Sequence, residues 1–422
     1  MHVPDGFIDA PVSAATGVLA AAAVAVSLRG ARRELGGHGP HAALGAERTA
    51  PLAGLVAAFI FAVQMLNFPV AAGTSGHLLG GALAAILVGP YTGVLCVSVV
   101  LLMQAVLFAD GGLTALGVNI TDMAVVTTVV AYGIFRGLVK VLPRGRRTVM
   151  AASFVAAVVS VPAAAVAFTG LYALGGTTHV PIGTVFAAMT GVHVLIGIGE
   201  AAITALTVGA VLAVRPDLVH GARGLAKPLQ LRTSPLAGPA AAAGEPEPAE
   251  APRPGEDAAG DAAGGAPLPA AARRSTRRVW LAGVAAALIC AGGVSYYASS
   301  SPDGLEKVAQ DQGIDAKAEE HAAKDSPLAD YSVRDIANPR ISGGLAGVIG
   351  VGATLAVGTG VFVVVRRRRG AARDAAGEAT GDAARDTAGE AAGGTAGGTA
   401  RDAAGGTAGD AVPPQRHTPE SA

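Results

Sequence analysis

The sequence predicts an all-α polytopic membrane protein, with about seven transmembrane helices followed by a two-helix C-terminal module. Of the 422 residues, 51% are hydrophobic and only 15% are charged, with a mean hydropathy of +0.48. A soluble domain usually carries about 25% charged residues. Several apolar stretches reach or approach the roughly 20 residues that a helix needs to cross a bilayer. Clusters of Arg and Lys between them indicate one orientation in the membrane.

Seven predicted spans lie in the first part of the chain, and two more follow a polar interval. A high content of Ala and Gly with only 4% aromatic residues favours close helix packing in a membrane, because small side chains let backbones approach. The spans are predicted at 12–28, 52–68, 71–90, 91–109, 114–135, 149–171 and 186–214, with the later pair at 279–298 and 343–365.

Basic residues orient these spans because short cytoplasmic loops collect Lys and Arg. All the clusters fall on one side if the N-terminus is extracytoplasmic, so the C-terminus is predicted to be cytoplasmic. No Lys or Arg precedes residue 29, which argues against a cleaved signal peptide. We therefore expect a multi-pass plasma-membrane protein that keeps its N-terminus. The clusters are Arg29, Arg32 and Arg33; Arg136, Lys140, Arg144, Arg146 and Arg147; Arg215, Arg223 and Lys227; Arg273, Arg274, Arg277 and Arg278; and Arg366 to Arg369.

Composition divides the chain into four parts. One polar interval is rich in Ala, Pro, Gly and Glu and cannot bury a core, so it is predicted to be a disordered cytoplasmic linker. The last part is a low-complexity tail to which no fold is assigned. The predicted parts are a seven-span metal-binding permease domain at 1–227, the linker at 228–277, a two-span module with an extracytoplasmic loop at 278–370, and the cytoplasmic tail at 371–422.

Several functional classes are disfavoured. The net charge is +0, so no basic field points to nucleic acid. The sequence contains no G-x-x-x-x-G-K-[ST] loop, no H-E-x-x-H pair and no G-x-S-x-G turn. We expect no enzymatic activity, and any ATP hydrolysis would come from partner subunits.

The N-terminal Met1-His2 pair is a candidate metal site. It offers a divalent ion three nitrogens: the Met1 amine, the His2 backbone nitrogen and the His2 imidazole. The fused five- and six-membered chelate rings suit the tetragonal nitrogen geometry that Ni(II) and Cu(II) prefer. A bulky second residue should also discourage removal of Met1.

Polar residues at membrane depth are functional candidates because they are costly there. His77 lies in the outer half of the third predicted span, on the same side of the membrane as His2. Taken by itself, His77 fits a structural histidine hydrogen-bonded between helices as well as it fits a metal ligand. His193 and Glu200 share a helix face, and a structural or coupling role for Glu200 is favoured over direct ligation. Asn119 and Asp122 also share a face and could form a polar lining or gate.

Several motifs occur in order along residues 1–215 and together resemble one family. They are Met1-His2-Val-Pro-Asp5-Gly6-Phe7, Ser75-Gly-His77 leading to Gly89-Pro90, Gly117-Val-Asn119, and the segment from His193 to Thr204. This set is similar to the CbiM/NikM family, the substrate-binding membrane components of energy-coupling-factor transporters for cobalt and nickel.

Residues 279–370 resemble the small two-span CbiN/NikN companion of that family. The signature is Pro302-Asp303-Gly304-Leu305-Glu306, followed by Ser326-Pro-Leu-Ala-Asp-Tyr331. The resemblance implies that the external loop, Pro302 to about Arg340, approaches the first domain and assists metal loading. His321 in that loop is expected to be a solvated helix histidine rather than a ligand.

By resemblance, the ion is held by the Met1 amine, the His2 backbone nitrogen, the His2 imidazole and the His77 imidazole. The transported ligand is Co²⁺ or Ni²⁺, and no resident cofactor is implied. Loading should release protons and weaken as the pH falls. The partners implied are a CbiQ/NikQ-like transmembrane coupling subunit, a pair of CbiO/NikO-like cytoplasmic ATPases, and membrane lipid. Cytoplasmic loops at 29–51 and 136–148 are available for docking.

Two alternatives stay open: a membrane receptor that senses metal without moving it, and an ATP-independent secondary transporter. The latter predicts an internal repeat, which the sequence does not display. Cobalt and nickel are not distinguished. Nitrogen ligation favours Ni(II), which lies above Co(II) in the general order of binding affinities, but site geometry and metal supply can override that order.

Overall fold

The computed structural model describes the backbone of residues 1–35, 42–71, 73–223 and 276–395. It also describes the side chains of these residues, except those of 42–49, 276 and 368–395. Nearly all of the predicted linker and the end of the tail lie outside the described residues. The helices are α1 (Ala10–Glu34), α2 (Ala42–Gln64), α3 (Gly81–Val88), α4 (Pro90–Leu107), α5 (Leu116–Asn119), α6 (Thr127–Val141), α7 (Arg146–Gly175), α8 (Ile182–Val214), α9 (Thr276–Gly292), α10 (Gly304–Gln312) and α11 (Pro339–Thr395); the strands are β1 (Phe68–Ala71) and β2 (Thr74–Gly76).

The fold class predicted from the sequence is confirmed. Among the described residues, seven helical segments are long and apolar enough to cross a membrane, five in the first domain and two in the C-terminal module. One of them joins α5 and α6 through a π-helix at Ile120–Val126. The segments are Ala10–Glu34, Pro90–Leu107, Leu116–Val141, Arg146–Gly175, Ile182–Val214, Arg277–Tyr297 and Pro339–Arg367.

Met1–Arg366 forms one compact unit, and the residues from Arg367 onward form a second. The first unit therefore contains both the N-terminal domain and the loop of the C-terminal module. In the second unit the backbone is helical as far as Thr395, although the sequence assigned no fold to this tail.

The predicted span at 71–90 does not form a single helix. It contains the end of an antiparallel hairpin, β1 with β2, followed by the eight-residue α3, about 12 Å long at 1.5 Å per residue. Gly80 and Gly89 bound α3 with φ of 90° and 105°, backbone angles that favour glycine. Every residue of α3 is buried. Its hydrophobicity therefore reflects burial inside the domain, which hydropathy alone does not separate from contact with lipid.

Small residues set the closest helix approach beside the N-terminal segment. A Cβ atom placed on Gly117 would stand 2.4 Å from the Gly17 Cα atom, so α5 meets the backbone of α1 directly. Gly133, an exposed glycine of α6, has no atom within 4 Å of the equivalent position. The two glycines therefore differ in packing.

We predict that Gly117→Ala destabilises the protein by about 1–3 kcal/mol, because the added methyl group forces two backbones apart. Gly133→Ala is the matched control, expected to be neutral or up to about 1 kcal/mol stabilising through helix propensity. Thermal unfolding of the two variants in detergent compares them. Equal melting temperatures would contradict the close approach of α1 and α5.

Candidate metal centre

The first nine residues form an extended segment that is held at one end of the helices by backbone hydrogen bonds. The Val3 carbonyl accepts from the Gly112 amide at 2.9 Å, and the Asp5 carbonyl accepts from Glu319 at 2.9 Å. The Asp9 amide donates to Gly175 at 2.7 Å. Met1 is 2% exposed. The segment is thus fixed from three different parts of the chain.

Side chains complete this attachment. Asn119 accepts from the Val3 amide at 2.8 Å and donates to the Val3 carbonyl at 3.1 Å. The Asp5 carboxylate accepts from the backbone amides of Thr114 and Leu113, at 2.8 and 3.3 Å. Asn119, a polar-lining candidate from the sequence, therefore aligns the residues that follow His2.

The Met1 amine lies at the centre of a buried cluster. It is 2.7 Å from His77 Nε2 and 2.6 Å from Asp303 Oδ2, and these two atoms are 3.4 Å apart. His77 Nδ1 lies 3.0 Å from the Leu78 carbonyl, which can only accept. The Nδ1 atom therefore carries the proton, and the lone pair of Nε2 faces the amine.

His2 stacks beside His77, with ring centroids 5.1 Å apart and planes inclined by 21°. Its Nδ1 lies 3.2 Å from Asp110 Oδ1, and its Nε2 lies 3.1 Å from Gln104 Oε1. Burial lowers the pKa of His2 to about 4, although the Asp110 carboxylate opposes this. The imidazole is therefore neutral at pH 7. One ring nitrogen of each histidine and a carboxylate oxygen of Asp303 lie within 4.8 Å of one another.

Glu200 fixes the backbone that follows His77. Its two carboxylate oxygens accept from the amides of Leu79 and Gly80, at 2.6 and 3.2 Å. His193 does not pair with Glu200: its Nδ1 lies 2.7 Å from the Met189 carbonyl. The sequence placed these two residues on one helix face, but their side chains form hydrogen bonds with different partners.

Asp122 is buried in the π-helix, and neither of its carboxylate oxygens has a hydrogen-bond partner within the part of the chain that the structure describes. It does not share the backbone-binding role of Asn119. The sequence grouped these two residues, whereas the structure separates their contacts.

The Pro302–Glu306 motif of the C-terminal module lies against this centre. Asp303 begins α10: its Oδ1 accepts from the Glu306 amide at 2.8 Å, and the Glu306 carboxylate accepts from the Asp303 amide at 3.3 Å. Burial opposes ionisation of Asp303, but the Met1 ammonium group holds the pKa of this carboxyl well below its usual range.

Contacts with the first domain account for the residue types at the other positions of the motif. The Pro302 carbonyl accepts from the Ser75 amide at 2.8 Å. A Cβ atom on Gly304 would stand 2.7 Å from Ile196 and 3.2 Å from His193. Leu305 is 1% exposed. The motif therefore docks the module on β2 and α8.

A second part of the external loop docks where α4 ends. Tyr331 donates to Asp110 Oδ2 at 2.6 Å, and its ring stacks on Phe108 with centroids 4.9 Å apart. The Asp330 amide donates to the Phe108 carbonyl at 2.9 Å. Tyr331 thus reaches His2 through Asp110, a link that sequence reasoning missed.

The expectation for His321 is wrong. This residue lies in a turn rather than a helix, and its Nε2 is 3.1 Å from the Gly111 carbonyl. It therefore contributes to docking of the loop instead of facing solvent on a helix.

A cavity of about 820 Å³ adjoins the centre and is lined by both parts of the chain. His2, His77, Asp110 and Asp303 all contribute to its wall. A small hydrated cation reaching this cavity would meet two imidazoles and the carboxylates of Asp110, Asp303, Glu306 and Asp330, with the Met1 amine buried behind His77 and Asp303.

Comparisons with known proteins identify families for both parts of the chain. Residues 2–218, about half of the chain, match CbiM, the cobalt uptake substrate-specific transmembrane region, and residues 277–367 match the PDGLE domain. A putative metal transport protein of Haloquadratum walsbyi is 42% identical over 219 residues, covering 52% of this chain and 93% of that protein.

A putative fused nickel transport protein NikMN of Archaeoglobus fulgidus is 38% identical over 222 residues, covering 52% of this chain and 68% of the relative. A crystal structure of a transition metal transporter aligns with a TM-score of 0.43 and 28% identity, covering 51% of this chain and 93% of that one. The chain belongs to the CbiM family of cobalt and nickel transport proteins, and it carries a PDGLE domain fused behind the family's membrane region.

Proposed function

We propose that this chain is the substrate-binding component of an energy-coupling-factor ABC transporter that imports Co²⁺ or Ni²⁺ across the plasma membrane, with its loading module fused in the same chain. The observation that carries the proposal is the buried meeting of the Met1 amine, His2 and His77 at one end of a membrane domain. Such a nitrogen-rich group suits a late first-row divalent ion.

The proposed ligands are the Met1 amine, the His2 backbone nitrogen, the His2 imidazole and the His77 imidazole. The chelate would use His2 Nδ1, which now faces Asp110. Binding therefore replaces the Asp110 contact with a bond to the ion. His77 needs no change of tautomer, because its Nε2 lone pair already faces the amine. The family description names cobalt and the NikMN relative names nickel, so both ions are proposed cargo.

Helix direction supports an extracytoplasmic metal centre. α1 begins beside the centre and carries Arg32 and Arg33 in its last turn, about 35 Å away at 1.5 Å per residue. α7 runs the opposite way, from Arg146 to Gly175, which contacts Asp9. Because basic clusters favour the cytoplasmic side, the centre is proposed to face outward.

The proposed partners are a CbiQ/NikQ-like coupling subunit and CbiO/NikO-like ATPases. The chain itself has no P-loop sequence, and moving a divalent ion inward against its gradient needs an energy source. The alternative functions are a metal receptor and an ATP-independent transporter, and the experiments below distinguish them from this proposal.

We predict that His2→Ala and His77→Ala each weaken Ni(II) and Co(II) binding at least about 100-fold, equivalent to about 2.7 kcal/mol. His179→Ala is the matched control, because His179 is exposed in the loop between α7 and α8. Calorimetry on the purified full chain measures all three, after mass spectrometry has confirmed the Met1 amine. Wild-type affinity in both site variants would contradict the proposed ligand set.

Binding is predicted to release about two protons per ion, one from the Met1 ammonium group and one from the His2 amide, and so to strengthen as the pH rises. His2 adds no third proton near neutrality, because its pKa is about 4. Calorimetry in buffers of different protonation enthalpy counts the protons. Acetylation of the Met1 amine is expected to abolish both metal binding and the proton release. A metal affinity that stays constant over about pH 6–8 would refute the predicted proton release.

Uptake of radioactive nickel or cobalt is expected to require the coupling subunit and active ATPases. Cells or proteoliposomes containing this chain alone provide the comparison, with an ATPase variant that cannot hydrolyse ATP as control. Uptake by this chain alone would favour a secondary transporter. Tight binding without any uptake in the complete assembly would favour a receptor.

A further inference from the structure

The C-terminal module contributes an oxygen to a cluster whose proposed ligands are otherwise nitrogens. Asp303 Oδ2 stands 2.6 Å from the Met1 amine and 3.4 Å from His77 Nε2, and the amine stands 2.7 Å from the same His77 atom. The three donor atoms form a small triangle. Their proximity is a property of the two modules together, because 302 residues separate Met1 from Asp303.

The size of this triangle matches a coordination sphere. Ligands at about 2.0–2.1 Å from an ion, set at right angles, are about 2.9 Å apart. The three distances, 2.6, 2.7 and 3.4 Å, bracket that value. An ion beside the triangle could contact all three atoms at right angles after shifts of roughly 0.2–0.5 Å in the three distances.

Charge balance favours the same oxygen. A divalent ion bound by a neutral amine, two neutral imidazoles and one deprotonated amide has a net charge of +1. Burying an uncompensated charge costs several kcal/mol. Asp303 supplies the missing negative charge from 3.4 Å of a proposed ligand atom. Asp110, another nearby carboxylate, is held through its Oδ2 by the Tyr331 hydroxyl and gives up only its contact with His2 when the ion binds.

The Asp303 side chain is also held in a fixed direction. Its Oδ1 is used to begin α10 through the Glu306 amide, which leaves Oδ2 aimed at Met1 and His77. The side chain is 17% exposed toward the adjoining cavity. One oxygen thus anchors the helix while the other faces both the cavity and the nitrogen ligands.

We propose that Asp303 is a metal ligand in the loading state, where its Oδ2 receives the divalent ion from the cavity and holds it while the nitrogen ligands assemble. This inference rests on the proposed function and assigns the PDGLE module a direct bond to the cargo. The metal centre is then shared between the two modules, and the Met1 amine exchanges its contact with Asp303 for a bond to the ion.

Asp303→Asn tests the bond without removing the helix start, because Asn and Asp are equally good N-cap residues. Glu306→Gln is the matched control, since it removes a neighbouring carboxylate that does not contact Met1 or His77. In the full chain loaded with Cu(II) as a probe, aspartate labelled with ¹³C at its carboxylate carbon should give a ¹³C hyperfine coupling. We expect the coupling to disappear in Asp303→Asn and to persist in Glu306→Gln.

Stopped-flow binding of Ni(II) is the second readout, and Asp303→Asn is expected to slow association at least about tenfold. A ¹³C coupling that survives in this variant, or one absent from the unsubstituted chain, would overturn the assignment, even if association slows for electrostatic reasons. If His77→Ala abolishes binding while Asp303→Asn matches the wild type in rate and spectrum, only this inference fails. If His2→Ala and His77→Ala also bind normally, the proposed function fails with it.

Discussion

The arrangement of the metal centre depends on one buried amine held between an imidazole and a carboxylate. An ammonium group removed from water is stable only when it is paired and hydrogen-bonded, and Met1 finds both conditions in His77 and Asp303. To bring these groups together, the chain folds the hairpin of β1 and β2, the start of α10 and the N-terminal segment onto one another. Hydrogen bonds outside the cluster hold these segments in place. Asn119 binds the backbone of Val3 in the N-terminal segment, and Glu200 binds the backbone of Leu79 after the hairpin.

The two modules have complementary roles around that amine. The first domain supplies the Met1 amine, the two imidazoles and the Asp110 carboxylate, while the external loop of the second adds the Asp303 carboxylate. His2 lies among side chains of the first domain, with Asp110 and Gln104 beside its ring nitrogens and His77 stacked on its face, and the loop reaches it only through the bond of Tyr331 to Asp110. An ion that binds to the nitrogen ligands must therefore displace contacts that the loop helps to organise. In the proposed function, binding of the ion and docking of the loop would therefore be linked through Asp110 and Asp303.

Sequence reasoning identified the fold class because spans and basic clusters are local features, and it selected Met1, His2 and His77 from chelate chemistry and family resemblance. It mistook 71–90 for a span, since the buried α3 is as apolar as a helix in lipid. It could not place Asp303 beside Met1, because no local pattern reports a contact across 302 residues. It also grouped His193 with Glu200 by helical spacing, although His193 contacts the Met189 carbonyl one turn earlier in its own helix and Glu200 contacts the distant Leu79 amide.

Several of the hydrogen bonds between the two modules join main-chain atoms only. Ser75 donates to the Pro302 carbonyl, Glu319 to the Asp5 carbonyl and Asp330 to the Phe108 carbonyl, each through a backbone amide. Such bonds survive most substitutions at the same positions. Paired sequence changes at these three contacts should consequently be rare during evolution, and analyses of residue covariation should miss them. For the same reason, a loop from one relative should be able to dock on the membrane region of another, so that fusion and separation of the two genes would be tolerated repeatedly.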